Sequence, residues 1–486
     1  MNRTPFPGTF ERLDAYRWRL PETFMAGMRV PAVIVASRDL LEAARADQTP
    51  QQVANVATLP GIVGAALAMP DLHWGYGFPA GGVAAFDERD GVVSPGGIGY
   101  DINCGIRLIR SDLRAGELGK RIAPLVDAVF ARVPSGVGSS GAMHLTLEDE
   151  KAVCRKGARW TVEHGYGWPG DLAVTEDGGA MPDADFGEVS ARARERGRGQ
   201  LGTLGSGNHF LEIQVVDEVF DEAAAGVLGL FPGQITVMIH SGSRGFGYQV
   251  CEDFLGVMGK ALGKYRVDVP DRQLACAPLT SPEARRYLGA MAAAANYAWA
   301  NRQAMTHAVR EAFEAVLGLP ATRLGLGLVN DNCHNIARME THTVDGVPRR
   351  VCVHRKGATR AFPAGHPEVA EPHRAIGQPI LLPGDMGRAS YVLVGQPGSM
   401  EWTFGTTAHG AGRRMSRHAA VKAARGRRID RELEARGITV RAHDPRSLAE
   451  EMPEAYKDIE SVVEVLEGAG LAKRVARFRP LGVVKG

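Results

Sequence analysis

Four short strings set thiol, carboxylate and imidazole groups beside glycine or small polar residues. They are Asp101-Ile102-Asn103-Cys104, Gly207-Asn208-His209-Phe210-Leu211-Glu212, Ile239-His240-Ser241-Gly242-Ser243-Arg244-Gly245 and Asp331-Asn332-Cys333-His334-Asn335. A thiolate, a carboxylate and three imidazoles are donor types that bind borderline divalent ions. Asp101, Cys104, His209, His240 and His334 together exceed one tetrahedral site and point to two adjacent ions, with the thiolate able to bridge them. Ligand softness alone points to zinc, and the mixed N/O/S set also admits manganese. Any one of these histidines taken singly reads as a buried ring satisfied by one backbone hydrogen bond, so the four strings count only in combination. His73, in Pro70-Asp71-Leu72-His73-Trp74-Gly75-Tyr76-Gly77, and His354, before Arg355-Lys356, are further candidates. His73 is expected to pack or hydrogen-bond, with Asp71 placed to orient a ligand from behind.

A second set of strings suits phosphate and nucleotide chemistry. His409-Gly410-Ala411-Gly412-Arg413 joins an imidazole to small residues that expose backbone N–H groups and then to a guanidinium, at the expected opening of a basic helix. Histidine is a suitable phosphoryl nucleophile because its neutral form is present near pH 7. A capping histidine beside a basic surface helix is the plainer alternative. Pro383-Gly384-Asp385-Met386-Gly387-Arg388-Ala389-Ser390 is a glycine-bearing loop entering a strand, and Tyr456 is placed to stack on a ring. From the residues alone, an ordinary turn and a half-buried helix tyrosine explain both as well. Lys485, next to last, reads as part of a frayed end. Several familiar nucleotide and metal signatures are absent: no GxxxxGK[ST], no Lys-x-Asp-Gly and no HExxH occurs. Gly136 to Gly141 matches GxGxxG but follows a helical stretch and reads as a loop.

The elements that must position these groups are short β-branched runs between glycine and proline, such as Ala32 to Val35, Gln234 to His240 and Tyr391 to Val394. Helices are expected from Ser281 to Leu317, where Ser281-Pro282-Glu283 supplies a cap, a first-turn proline and an acid. Others are expected near Met415 to Arg436 and Ala455 to Ala469. The alternation has no regular βαβ beat, which favours α+β over a doubly wound sheet. No internal repeat or low-complexity linker divides the 486 residues, so residues 1–486 are read as one catalytic unit. The segment 176–200, acidic and then arginine-rich, is expected to be a surface excursion.

A net charge of +2 identifies no partner. Locally, however, Arg413, Arg414, Arg417, Lys422, Arg425, Arg427 and Arg428 lie between Glu401 and Asp430 with no acid among them. Six scattered cysteines without a CxxC pair, and the lack of a charged-then-apolar leader, favour a reducing cytoplasm. No apolar run is long enough to cross a bilayer.

Taken in order, Pro70 to Gly77, Asp101 to Gly105, Gly207 to Glu212, His240 to Gly245, Asn332 to Asn335 and His409 to Arg417 resemble the RtcB family of RNA ligases. The resemblance runs from about residue 60 to Gly486. It implies a single large mixed domain of the RtcB type, with irregular sheets flanked by helices and an active site in a central cleft. It further implies one Mn(II) on Cys104, His209 and His240 and a second on Asp101, Cys104 and His334. His409 would become guanylylated from GTP, with Asp71, Arg244, Lys356 and Arg413 completing the catalytic group. Asn208 and Asn335 would lie near phosphates. The rest of the nucleotide would fall to Phe210, Glu212, Pro383, Gly384, Met386, Ser390, Gly410, Ala411, Gly412, Tyr456 and Lys485.

The implied reaction joins an RNA 3′-phosphate or 2′,3′-cyclic phosphate to a 5′-hydroxyl end, in tRNA splicing or RNA repair. An archease-type activator is a further candidate partner. Asp385 and Arg388 depart from the smaller neutral residues expected in that loop, which puts nucleotide affinity or selectivity in question. Guanylyl capping of DNA 3′-phosphate ends and a binuclear metal phosphoesterase without a nucleotide step are the competing readings.

Overall fold

The computed structural model describes residues 6–486. Two large sheets carry the expected β-branched runs. One has seven strands in the order Glu11–Arg12, Arg17–Leu20, Ala32–Val35, Ile62–His73, Ala80–Asp87, Val347–Lys356 and Asn335–Val344. The other runs Leu328–Cys333, Gly105–Arg114, Gln234–Ser241, Phe210–Val219, Ala472–Lys485, Ser390–Gly395 and Pro379–Leu382, with Thr439–Ala442 added beside Ala472–Lys485. Pairing is antiparallel except between Ala32–Val35 and Ile62–His73 and between Thr439–Ala442 and Ala472–Lys485. Helices are not interleaved strand by strand, so the class is α+β as expected.

Register explains how distant strings meet. In the eight-stranded sheet Cys333 pairs with Gly105, Gly105 with Ser241, His240 with Phe210, and Phe210 with Lys485. With neighbouring strands about 4.8 Å apart, those pairings draw the ends of five strands into one row. His334 is the step by which the chain leaves that sheet and, at Asn335, enters the other. There Asn335 pairs with Lys356 and Lys356 with Gly82.

The helix Pro282–Leu317 forms as its sequence predicts: the Ser281 hydroxyl accepts the Ala284 N–H at 3.1 Å. Its 36 residues include the buried run Ala292 to Ala295, whose small side chains let other helices approach closely. Ile122–Arg132, Leu147–Lys156, Ala158–Glu163 and Arg244–Tyr265 all pack on it. The 176–200 segment lies along it as two 3₁₀ turns and the helix Ala191–Gly197, with Asp185 N–H donated to Gly289 O. Its first acid, Glu176, is buried and accepts the Cys333 N–H at 2.9 Å.

The basic stretch differs from expectation. In place of one helix from Met415 to Arg436 there are two short ones, Arg417–Ala423 and Ile429–Glu434. Gly426 between them has φ +78°, a left-handed conformation that ends a helix. The helix near the C-terminus begins at Ile459, where the Asp458 side chain caps it, a few residues later than predicted.

Candidate active site

Asp101 to Cys104 form a tight turn closed by Cys104 N–H to Asp101 O, with Asn103 at φ +52°. The buried Arg302 fixes this turn: its guanidinium donates to the backbone oxygens of Asn103 and Ser241, to the Asn103 side chain and to Asp331. The neighbours of Cys104 and His240 are thereby tied to one rigid fork. Asp101 accepts the Ser243 N–H and hydroxyl, and a Cβ at Gly242 would lie 2.3 Å from its Oδ1, so only glycine admits the approach.

The five donors form a chain of contacts. His209 Nε2 is 2.8 Å from Asp101 Oδ2 and 3.4 Å from Cys104 Sγ. His240 Nε2 is 3.2 Å from Cys104 Sγ and 3.3 Å from His334 Nε2. His209 Nδ1 is turned to Leu204 O at 3.0 Å, which aims the opposite ring nitrogen into the cluster. Burial pushes the His240 and His334 imidazoles well below their ordinary value, so both are neutral and ready to ligate. The same burial, with the Asp101 carboxylate beside it, pushes the Cys104 thiol well up.

The Nδ1 atoms of His240 and His334 are buried without a hydrogen-bond partner. Crowded neutral rings and a thiol that a cation would ionise fit the binding of divalent metal. By mutual distance within 4.8 Å, Asp101, Cys104 and His209 form one group and Cys104, His240 and His334 another.

His409 closes the array. Its ring centroid lies 4.8 Å from that of His334. The buried Asp71 carboxylate accepts from both His409 Nδ1, at 2.5 Å, and His409 N–H, at 3.0 Å. Burial opposes ionisation of Asp71, yet the His409 contacts outweigh it and hold the carboxyl below its usual range. Because a carboxylate only accepts, the Nδ1 contact places a proton on that nitrogen. Gly412 makes this possible: at φ +72° a Cβ would sit 2.0 Å from Asp71 O.

The predicted opening of the basic helix at His409 is corrected. The helix starts at Arg417, and residues 410–412 form a loop in which Ala411 N–H is donated to Pro383 O. Loop conformation at Gly412, not a helix terminus, orients the imidazole.

From His409 a cleft opens. It is lined by His73, Asn208, Phe210, Glu212 and His240, by Pro383, Gly384, Asp385, Met386 and Ser390, and by Gly410, Ala411, Gly412, Arg413, Arg417, Glu451, Tyr456 and Lys485. Burial raises the Glu212 carboxyl to about 7 and lowers the Lys485 ammonium to about 8. Lys485, far from frayed, is 3% exposed and donates to Gly207 O and His209 O.

Other expected residues lie elsewhere or are engaged. Asn335 does not line the cleft; its amide joins Asp101 O to Gly357 N–H. Lys356, lowered by burial to about 7, donates to Gly96 O and Tyr76 O. Arg244 stands beside His209, its NH1 3.4 Å from Nδ1. Arg413 is held by Glu451 at 2.9 Å and lies over the Tyr456 ring. His73 bonds Asp71 O, and His354 packs against Phe78 and Phe86 and accepts from Ser94 N–H.

Two lining residues were not foreseen as such, Glu451 and Arg417. Glu451 is 1% exposed and bonds Arg413 and the Tyr456 hydroxyl. Nothing in the string Glu450-Glu451-Met452 distinguishes it from a solvated acidic pair.

A family model described as tRNA-splicing ligase RtcB matches residues 52–486. A tRNA-splicing ligase RtcB of Archaeoglobus fulgidus is 54% identical over 479 residues, covering 99% of both chains. One from Thermococcus kodakarensis is 54% identical over 98% of both. An RNA-splicing ligase RtcB of Mycobacterium tuberculosis is 53% identical over 90% of this chain and all of its own. The chain belongs to the RtcB family. The RtcB resemblance drew His209 and His240 to one ion and Asp101 and His334 to the other, whereas the distances pair Asp101 with His209 and His240 with His334. Cys104 is common to both arrangements. Among the described residues no helix is long and apolar enough to cross a membrane.

Proposed function

We propose that the chain is a GTP- and Mn(II)-dependent RNA ligase that joins a 3′-phosphate or 2′,3′-cyclic phosphate end to a 5′-hydroxyl end through a histidine–GMP intermediate. The observation that carries this is the Asp71–His409 hydrogen bond of 2.5 Å, with the ring centroid of His334 4.8 Å from that of His409 and both His409 and His240 lining the cleft. Asp71 keeps the proton on Nδ1, so Nε2 attacks the α-phosphorus of GTP and pyrophosphate leaves. The Glu212 carboxyl suits the donor edge of guanine, with Phe210, Met386 and Tyr456 as the flat walls about it. Asp101, Cys104, His209, His240 and His334 would hold two divalent ions, which when bound neutralise phosphate charge and position it.

The RNA 3′-phosphate then takes GMP from His409. Attack by the 5′-hydroxyl on that phosphate expels GMP and seals the strand, a cyclic phosphate being hydrolysed first. Arg244 and Asn208, beside the Asp101 end, are suited to the phosphates of RNA, and Arg413 to those of GTP once Glu451 releases it. Six free, buried cysteines suit the reducing cytoplasm in which we place the enzyme. We infer tRNA halves or cleaved RNA as substrates, with an archease-type protein as a candidate activator.

Strand joining tests this. Purified protein with Mn(II) and GTP is given an RNA 3′-phosphate strand and a 5′-hydroxyl strand, and separately the DNA equivalents. A sealed RNA product that carries the original phosphate and is lost in His409→Ala is expected. Phosphate release without GTP would indicate a phosphoesterase, and a guanylyl cap left on DNA would indicate end capping.

A further inference from the structure

Two residues of the cleft loop, Asp385 and Arg388, form a contact whose far side is not in the loop. Asp385 is fully buried and Arg388 about one third exposed. Arg388 Nε donates to the Asp385 carboxylate, and its NH2 donates to Pro453 O, Tyr456 O and Lys457 O at 3.2, 3.3 and 3.1 Å. Its NH1 lies 3.5 Å from Asp458. One planar guanidinium therefore ties the loop that carries Met386 to the backbone that carries Tyr456, and both side chains line the cleft. Gly387 shows how tightly the segments meet, because a Cβ there would lie 2.9 Å from Pro453.

We propose that Arg388 is a positioning residue for nucleotide binding, a staple that fixes the gap between the Met386 wall and the Tyr456 ring where a flat base inserts. Arginine suits this because its donors diverge in one rigid plane, so a carboxylate and several carbonyls are held at once. Asp385 orients that plane from inside the cleft. Arg388 itself touches neither the cluster nor His409 and acts through Tyr456. This inference rests on the reading of the cleft as the guanosine nucleotide site.

The test measures transfer of label from α-labelled GTP to the full-length protein with Mn(II), as a function of GTP concentration. Four forms are compared: the parental chain, Arg388→Ala, Tyr456→Ala and the double variant. An unlabelled parental chain would refute the nucleotide reading itself, whatever the variants do. With the parental chain labelled, each single change is expected to raise the half-saturating GTP concentration about tenfold, the size of one lost stacking contact. The maximal rate should stay within about twofold, and the double variant should resemble Tyr456→Ala instead of multiplying the two losses. An unchanged half-saturation point in Arg388→Ala would overturn the inference. So would full multiplication in the double variant, or a fall in maximal rate alone.

Discussion

In the proposed reaction Asp71 is the residue on which the chemistry of His409 turns. A neutral amide in its place keeps the shape but no longer enforces the proton on Nδ1. Asp71→Asn should therefore lower the rate of guanylylation at saturating GTP by about 10²–10⁴-fold with metal binding intact. Single-turnover labelling checks this, and a rate within a few fold of the parental would contradict it.

Glu212 makes a different prediction, about pH. Below about 4.5 both folded and unfolded chains hold its proton. Between there and about 7 only the folded chain does, so this residue's contribution to stability declines as pH rises through that window. Glu212→Gln should be the more stable protein above pH 7, by at most about 3 kcal/mol, with the difference vanishing near pH 4.5. Urea unfolding across that range would show it, whereas a gain independent of pH would count against it.

The donors themselves were legible because each sits in a short string of unusual composition. Glu451 and the Asp385–Arg388 staple were not, because their meaning comes from partners 38 and about 65 residues away in the chain.

Among the elements, what was legible came from local chemistry and what was not came from packing. Ser281 bonds within its own first turn, so its helix start was readable in four letters. The helix expected from Met415 failed at Gly426, where local propensity on both sides gave way to a left-handed residue. Strand existence was readable in Gln234 to His240, but the row joining Cys333, Gly105, His240, Phe210 and Lys485 is a matter of register between distant strands.

That row is held behind by Arg302, which spans the turn before Cys104 and the strand end at His240–Ser241. Arg302→Gln should weaken Mn(II) binding about 10–100-fold, the usual effect of losing a partner behind the ligands. Calorimetric titration of the folded variant measures it, and unchanged affinity would show that the two strands hold their spacing unaided.

For the chain in its entirety, the five donors come from the turn at Asp101, the residue just before the strand Phe210–Val219, the strand Gln234–Ser241 of the same sheet and the crossover at His334 into the other. Metal binding should accordingly be coupled to folding of both sheets. Mn(II) at about a hundred times its dissociation constant should stabilise the parental protein by about 2.7 kcal/mol, seen as a higher melting temperature than in chelator. Cys104→Ala should lose that increment, since the thiol belongs to both donor groups. Equal melting temperatures with metal and with chelator would mean that the cluster is not a metal site.

The central claim is that His409 Nε2, aimed by Asp71 and set beside the cluster, takes GMP from GTP. Peptide mapping by mass spectrometry after incubation with GTP and Mn(II), without RNA, tests it most directly. The expected result is one GMP on the peptide containing His409, absent without metal and absent in Cys104→Ala. GMP on Lys356 or Lys485, or metal-loaded protein that takes up no GMP at all, would contradict it.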